Sequence, residues 1–200
     1  MTPFIQLTSI AAPLPLANVD TDKILPARFL TTISRHGLAC ALFATLRTDA
    51  DFVLNLPPWR EAEILVALQN FGSGSSREHA PWALLDFGIR CIVAPSFADI
   101  FFNNCFANGM LPVVLPEPDV LEILATISDP ARARIGVDLL SQTVTAGAGV
   151  YRFEIDPGRK RDLLEGADAI TRSLGLAERI AAYERQAAAE RPWLRPIGPP

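Results

Sequence analysis

A regular alternation between Ile64 and Leu115, punctuated by one glycine- and serine-rich turn, constrains the fold more than any other feature. Ile64–Leu68 is an apolar run of strand length. Helical periodicity follows from Ser75 or Ser76 to Asp86, with Ala80, Ala83, Leu84 and Phe87 on one face and Gly88 as the stop. Ile89–Ala94 reads as a second buried strand. A helix beginning at Ser96 and running through Phe97, Ile100, Phe101 and Cys105 ends at Asn108-Gly109, and Leu111–Leu115 is a third strand. Strand, helix, strand, helix, strand at this spacing predicts an α/β fold with parallel pairing. Pro81 is awkward in a helix begun at Ser76, because it removes an intrahelical donor.

The flanks are less regular. The first 30 residues, with prolines 3, 13, 15 and 26, read as short strands and loops. Residues 36–47 suggest a short helix and Phe52–Asn55 a strand closed by Pro57-Pro58. Asp119–Ile127 reads as a helix, and Gln142–Thr145 and Gly149–Ile155 as paired strands around Ala146-Gly147-Ala148. Amphipathic helices are expected at 159–165, 168–174 and Leu176–Glu190, before a proline-rich tail that cannot be helical. The expectation is a single domain over 1–200, with a helical C-terminal extension at about 158–190 and a loose tail at 191–200.

Composition narrows the function classes. Half the residues are hydrophobic, which sets aside a disordered chain. A net charge of −4 argues against a general nucleic-acid binder. No apolar run reaches the ~20 residues that span a bilayer, and Met1-Thr2-Pro3-Phe4 lacks the start of a signal peptide. Cys40, Cys91 and Cys105 are widely spaced without a C-x-x-C, so neither zinc nor an iron–sulfur cluster is indicated. Cys91, in an apolar run, reads as a buried thiol. A reducing, cytoplasmic setting is expected.

The turn Phe71-Gly72-Ser73-Gly74-Ser75-Ser76-Arg77-Glu78-His79 carries the chemistry. Glycines let backbone approach a ligand, a following helix presents N–H groups, and Arg77 adds a fork suited to carboxylate or phosphate. Ser75 has two readings of equal standing: a reactive or substrate-binding serine, or an N-cap, since Ser75-x-x-Glu78 fits a capping box. A cation in a first helical turn opposes the dipole, and Arg77 tips the balance slightly toward function. The run is not G-x-S-x-G, lacks the lysine of a P-loop and misses the third glycine of a dinucleotide fingerprint. A Ser–His triad would have to use His36 or His79, the two histidines of the chain. A second constellation, Asn18-Val19-Asp20-Thr21-Asp22, could orient a basic group or a metal, or simply form a solvated turn.

Asn18–Pro26, Asn70–Leu84, Ala94–Phe101 and Leu111-Pro112-Val113 together resemble the small-subunit family of 3-isopropylmalate dehydratase, in the aconitase superfamily. The resemblance implies the swivelling β/β/α domain, with a mainly parallel sheet segment and a helical C-terminal region. It implies a leucine-pathway hydro-lyase acting on a small dicarboxylate, with no nucleic acid or membrane as partner. A separate large subunit would carry a [4Fe–4S] cluster, this chain binding no cofactor of its own. Ser75 matches the catalytic serine that takes a proton from substrate carbon; Ser76 and Arg77 match residues that hold a substrate carboxylate. Asp22 matches an active-site aspartate and Arg35 a further substrate-binding arginine. The chain departs from the family at Ser34-Arg35-His36-Gly37-Leu38, where Thr-Arg-Thr-Gly-Phe is common, and at Thr31-Thr32, where a basic residue is usual. These departures leave open a paralogue acting on citramalate or dimethylmalate; a non-catalytic binding module is the remaining alternative.

Overall fold

The computed structural model describes residues 1–30 and 34–194. The departure at Thr31-Thr32 and the tail from Arg195 to Pro200 therefore lie outside the described residues. The chain divides into two compact units, 1–166 and 167–200.

The first unit runs β1 (Gln6–Leu14), α1 (Thr21–Ile24), β2 (Ile64–Ala67), α2 (His79–Phe87), β3 (Cys91–Ala94), α3 (Asp99–Ala107) and β4 (Leu111–Val114). It continues with α4 (Glu117–Ile127), β5 (Arg134–Asp138), β6 (Thr143–Ala146), β7 (Gly149–Arg152) and α5 (Pro157–Glu165). The seven strands form one sheet in the order β4-β3-β2-β1-β5-β6-β7. β2, β3 and β4 pair in parallel, as the alternation predicts; β1 adds in parallel to β2, while β5, β6 and β7 join antiparallel.

β1 serves both halves. Residues 6–10 pair with β5, and residues 11–14 pair with β2. Pro13 is tolerated in this central strand because β1 has parted from β5 before reaching it, so no ladder on that side needs its N–H. Pro112 lies on β4, the edge strand. Strand alternation feeds two cores. Leu14, Leu65, Ala67, Ile92 and Ala94 meet Leu84 and Phe101 on one face. Ile64, Val66, Cys91, Val93, Leu111 and Val113 meet Val120, Ile123 and Ile127 of α4 on the other. Sheet strands buried on both faces read as continuous apolar runs, which is why β2 and β3 were legible.

Several boundaries differ from expectation. α2 begins at His79, not Ser75 or Ser76, and α3 at Asp99, not Ser96. Starting at His79 puts Pro81 in the first turn, where no intrahelical bond is lost. Residues 96–98 are engaged elsewhere: Phe97 bridges Phe71, and the Ala98 N–H donates to the Phe71 carbonyl at 2.9 Å. Residues 36–47 form no continuous helix but two 3-10 turns, Ala39–Ala41 and Leu46–Thr48, interrupted by Phe43 at φ 49°. Phe52–Asn55 is not a strand. Val53–Asn55 is a 3-10 turn, closed by Asn55 Nδ2 donating to the carbonyls of Arg47 (3.0 Å) and Asp49 (2.8 Å).

The second unit holds α6 (Ala169–Leu174), capped by Asp168, and α7 (Ala177–Glu190). A 3-10 turn at Pro192–Leu194 opens the tail that was expected to contain no helical residue. Among the described residues no helix is long and apolar enough to cross a membrane.

Candidate functional site

Three loops meet at the carboxyl ends of the parallel strands, the place where α/β sheets gather ligands. They follow β1 (residues 15–20), β2 (68–78) and β3 (95–98). The middle loop is stitched to both neighbours. Toward the first, the Gly72 N–H donates to the Val19 carbonyl at 2.7 Å, and the Thr21 N–H to the Ser73 carbonyl at 2.8 Å. Asn70 Nδ2 donates to Asn18 Oδ1 at 2.7 Å. Toward the third, the Phe71 N–H donates to the Ser96 carbonyl at 3.1 Å, and Ser96 Oγ accepts from the Asn70 N–H at 2.9 Å.

Gly72 cannot be another residue here. Its φ is +79°, and a Cβ would lie 2.1 Å from Phe101 Cγ. The glycine lets the turn lie flat on α3, with Phe71 buried edge-on against Phe97 and Phe101. That buried base holds up an exposed tip: Ser75 and Ser76 are open to solvent and Arg77 is half-buried.

The structure brings Asp22 to Arg77. α1 is a single helical turn capped by Asp20, whose carboxylate accepts from the Lys23 N–H at 2.7 Å. That turn aims Asp22 Oδ1 at Arg77 Nη1, 2.5 Å away. One guanidinium N–H is used, and the planar fork keeps further donors for an anion. Ser75 is not an N-cap. Glu78 occupies the cap position without a side-chain bond, and the Ser75 N–H instead donates to Thr21 Oγ1 at 3.2 Å. The capping-box reading of Ser75 therefore falls. The late start of α2 also reduces the expected N–H donor set, since Pro81 contributes none.

Arg35 is placed differently. Its guanidinium carbon stands 5.1 Å from the centre of the Trp82 ring on α2, and Trp82 in turn stacks at 4.8 Å with His79. Sequence reading left Thr21 without a role of its own; it is buried, with its hydroxyl under Ser75. Asp86 was missed as well, although a carboxylate in the last turn of a helix opposes the dipole and is a legible signal.

Among the described residues no three His, Cys, Asp or Glu side chains converge to hold a metal ion. Cys91 and Cys105 are fully buried and Cys40 is exposed. Burial raises both buried thiols well above the ordinary thiol range, with Cys91 adding to the effect on Cys105. These residues do not fit the ligand set of an iron–sulfur cluster.

A serine- and arginine-bearing turn stands at the carboxyl ends of the parallel half of this α/β domain's sheet. The sequence pattern of the family described as the aconitase C-terminal domain matches residues 1–118. The 3-isopropylmalate dehydratase small subunit of Dinoroseobacter shibae is 53% identical over 201 residues, covering 97% of this chain and all of its own length. That of Rhodospirillum centenum is 54% identical, covering 96% of this chain and 98% of its own length. The crystal structure of 3-isopropylmalate dehydratase from Methanocaldococcus jannaschii superposes with a TM-score of 0.66 at 25% identity, covering 90% of this chain and 99% of that one. The chain belongs to the 3-isopropylmalate dehydratase small-subunit family, within the aconitase C-terminal domain class.

Proposed function

We propose that the chain is the small subunit of a 3-isopropylmalate dehydratase, a cytoplasmic hydro-lyase of leucine biosynthesis. It would interconvert 2- and 3-isopropylmalate through isopropylmaleate, and only together with a large subunit. The observation that carries the proposal is the exposed Ser75-Ser76-Arg77 tip held against Asp22, in a chain whose full-length relatives bear that enzyme's name. Those names specify 3-isopropylmalate, which supports the isopropyl substrate over citramalate or dimethylmalate.

In this reading Ser75 Oγ, as its alkoxide, removes the proton from the substrate carbon beside a carboxylate. The electron pair forms the C=C bond as hydroxide departs from the neighbouring carbon. Re-addition of water with the opposite regiochemistry returns the proton from Ser75 and gives the isomer. An alkoxide is a costly species, and a fixed cation nearby lowers its free energy. Arg77 serves there while binding the carboxylate on which charge builds up, and Ser76 adds a hydroxyl donor. Asp22 fixes the direction of the guanidinium, and Arg35 takes part in binding the substrate. In this reading the departing hydroxide is taken up on the large subunit. A [4Fe–4S] cluster belongs on the large subunit in this proposal, which the buried positions of Cys91 and Cys105 and the exposed position of Cys40 support.

The test is reconstitution with a cluster-bearing large subunit of a 3-isopropylmalate dehydratase. Isopropylmaleate hydration should appear in the complex and be absent from either chain alone. A complex that hydrates citraconate or dimethylmaleate in preference would reassign the substrate.

A further inference from the structure

Asp86 sits in the last turn of α2, where the helix dipole disfavours a carboxylate. Its side chain is only 15% exposed. Oδ2 accepts two backbone donors, the N–H of Leu38 at 2.7 Å and that of Ala39 at 2.8 Å. Oδ1 lies 3.6 Å from His36 Nδ1. One carboxylate therefore holds residues 36, 38 and 39 against α2. The same segment touches α2 a second time, through Arg35 over the Trp82 ring. Trp82 and Asp86 are four residues apart and share a helix face, which His79 continues toward the glycine-rich turn. The Trp82 indole is itself fixed, donating to Asn108 Oδ1 at 3.0 Å. Ser34 to Gly37 are exposed and belong to no helix or strand, and the two contacts with α2 contribute to orienting them.

A dicarboxylate has two anionic ends, and Arg77 answers one of them. A second cation binds more tightly when it is held in place beforehand, because less freedom is lost on association. We propose that Asp86 is a positioning residue: by pinning the Leu38 and Ala39 amides it fixes the 34–39 segment on α2. Arg35 is thereby presented beside the Ser75–Arg77 turn as a second carboxylate-binding cation. This rests on the functional reading above.

The experiment compares Asp86→Ala, Asp86→Asn, Arg35→Ala and the double variant Asp86→Ala/Arg35→Ala, each in complex with the large subunit. Asp86→Ala should raise KM for the isopropylmalates about tenfold with kcat within about twofold, the pattern of lost binding rather than lost chemistry. Asp86→Asn should recover most of that loss, since a carboxamide oxygen can accept the same two N–H groups. It also serves if the alanine variant folds poorly. The double variant should be no worse than Arg35→Ala alone. Full multiplication of the two KM effects, a fall in kcat with KM unchanged, or a silent Arg35→Ala would each overturn the proposal. Amide hydrogen exchange on the full chain tests the clamp without any assay. Leu38 and Ala39 should exchange at least about tenfold faster in Asp86→Ala. Unchanged exchange overturns the clamp, whereas faster exchange in a complex that does not act on isopropylmalates removes only the substrate reading.

Discussion

Arg77 donates to the Asp22 carboxylate across 55 residues of chain, adding a charged side-chain pair to the backbone bonds that already tie α1 and the loop before it to the loop after β2. The pair is half in solvent, with Arg77 25% and Asp22 58% exposed. Such a pair adds only about 0.2–1 kcal/mol to stability, so its value lies in aiming the guanidinium. Arg77→Lys keeps the charge and loses the planar fork. Steady-state kinetics of the reconstituted complex should show KM for the dicarboxylate raised about tenfold or more, while the melting temperature stays near that of the wild type.

Ser75→Ala removes the proposed proton acceptor at an exposed position. Its kcat in the complex should fall by about 10²–10⁴, the range for loss of a group acting in proton transfer. Unfolding free energy should stay within about 0.5 kcal/mol of wild type, because nothing buried is disturbed. A Ser75→Ala complex of ordinary activity would remove the serine from the mechanism.

Gly72→Ala is expected to be destabilising by about 2–4 kcal/mol, from backbone strain at positive φ together with overpacking against Phe101. Gly88→Ala offers the control: its φ is +115°, yet a Cβ there meets nothing within 4 Å. Urea midpoints should rank wild type above Gly88→Ala and Gly88→Ala above Gly72→Ala.

Thiol labelling should separate the cysteines. At neutral pH a disulfide reagent should modify only the exposed Cys40 in the native chain and all three cysteines after unfolding. The buried pair is held protonated, and the thiolate is the reactive form. Rapid native labelling of Cys91 or Cys105 would contradict the packing of β3 and α3.

Asp138 gives a pH signature. The Ser141 N–H donates to its carboxylate at 2.8 Å and is the main reason it titrates below the usual aspartate range; Lys160 adds to the effect and partial desolvation opposes it. A folded-state pKa below the unfolded one means stability that is present above the unfolded value and lost as pH falls through the folded one. Between about pH 4 and pH 2 the wild type should therefore lose more stability than Asp138→Asn. Parallel acid-unfolding curves for the two would show that the Ser141 bond contributes nothing.

How much of this was legible depended on whether local pattern and tertiary context agreed. β2, β3 and β4 could be read because strands buried on both faces are unbroken apolar runs. β5, with its Arg-Ile-Gly-Val-Asp sequence, was not read at all. It alternates over only five residues, and Gly136 interrupts the pattern. β1 was seen as fragments because Pro13 suggests a break, and only the change of pairing partner along the strand explains its tolerance. The serine–arginine turn was visible from its composition and spacing. The family resemblance singled out Asp22, but only the folded structure pairs it with Arg77. Thr21 under Ser75 is a long-range contact that no local pattern announces, and the helix-end position of Asp86 signals a partner without identifying Leu38 and Ala39.

The double pairing of β1 has a consequence for how the chain is made. β1 leaves the ribosome before either of its partners, the parallel one at 64–67 and the antiparallel one at 134–138. Closing such distant contacts is slow, because loop entropy is lost before the pairing repays it. Asp22 emerges early but has no Arg77 to meet until β2 and its turn have been synthesised. During that interval residues 6–14 are an unpaired apolar strand, so early translation is when this chain most needs protection from aggregation.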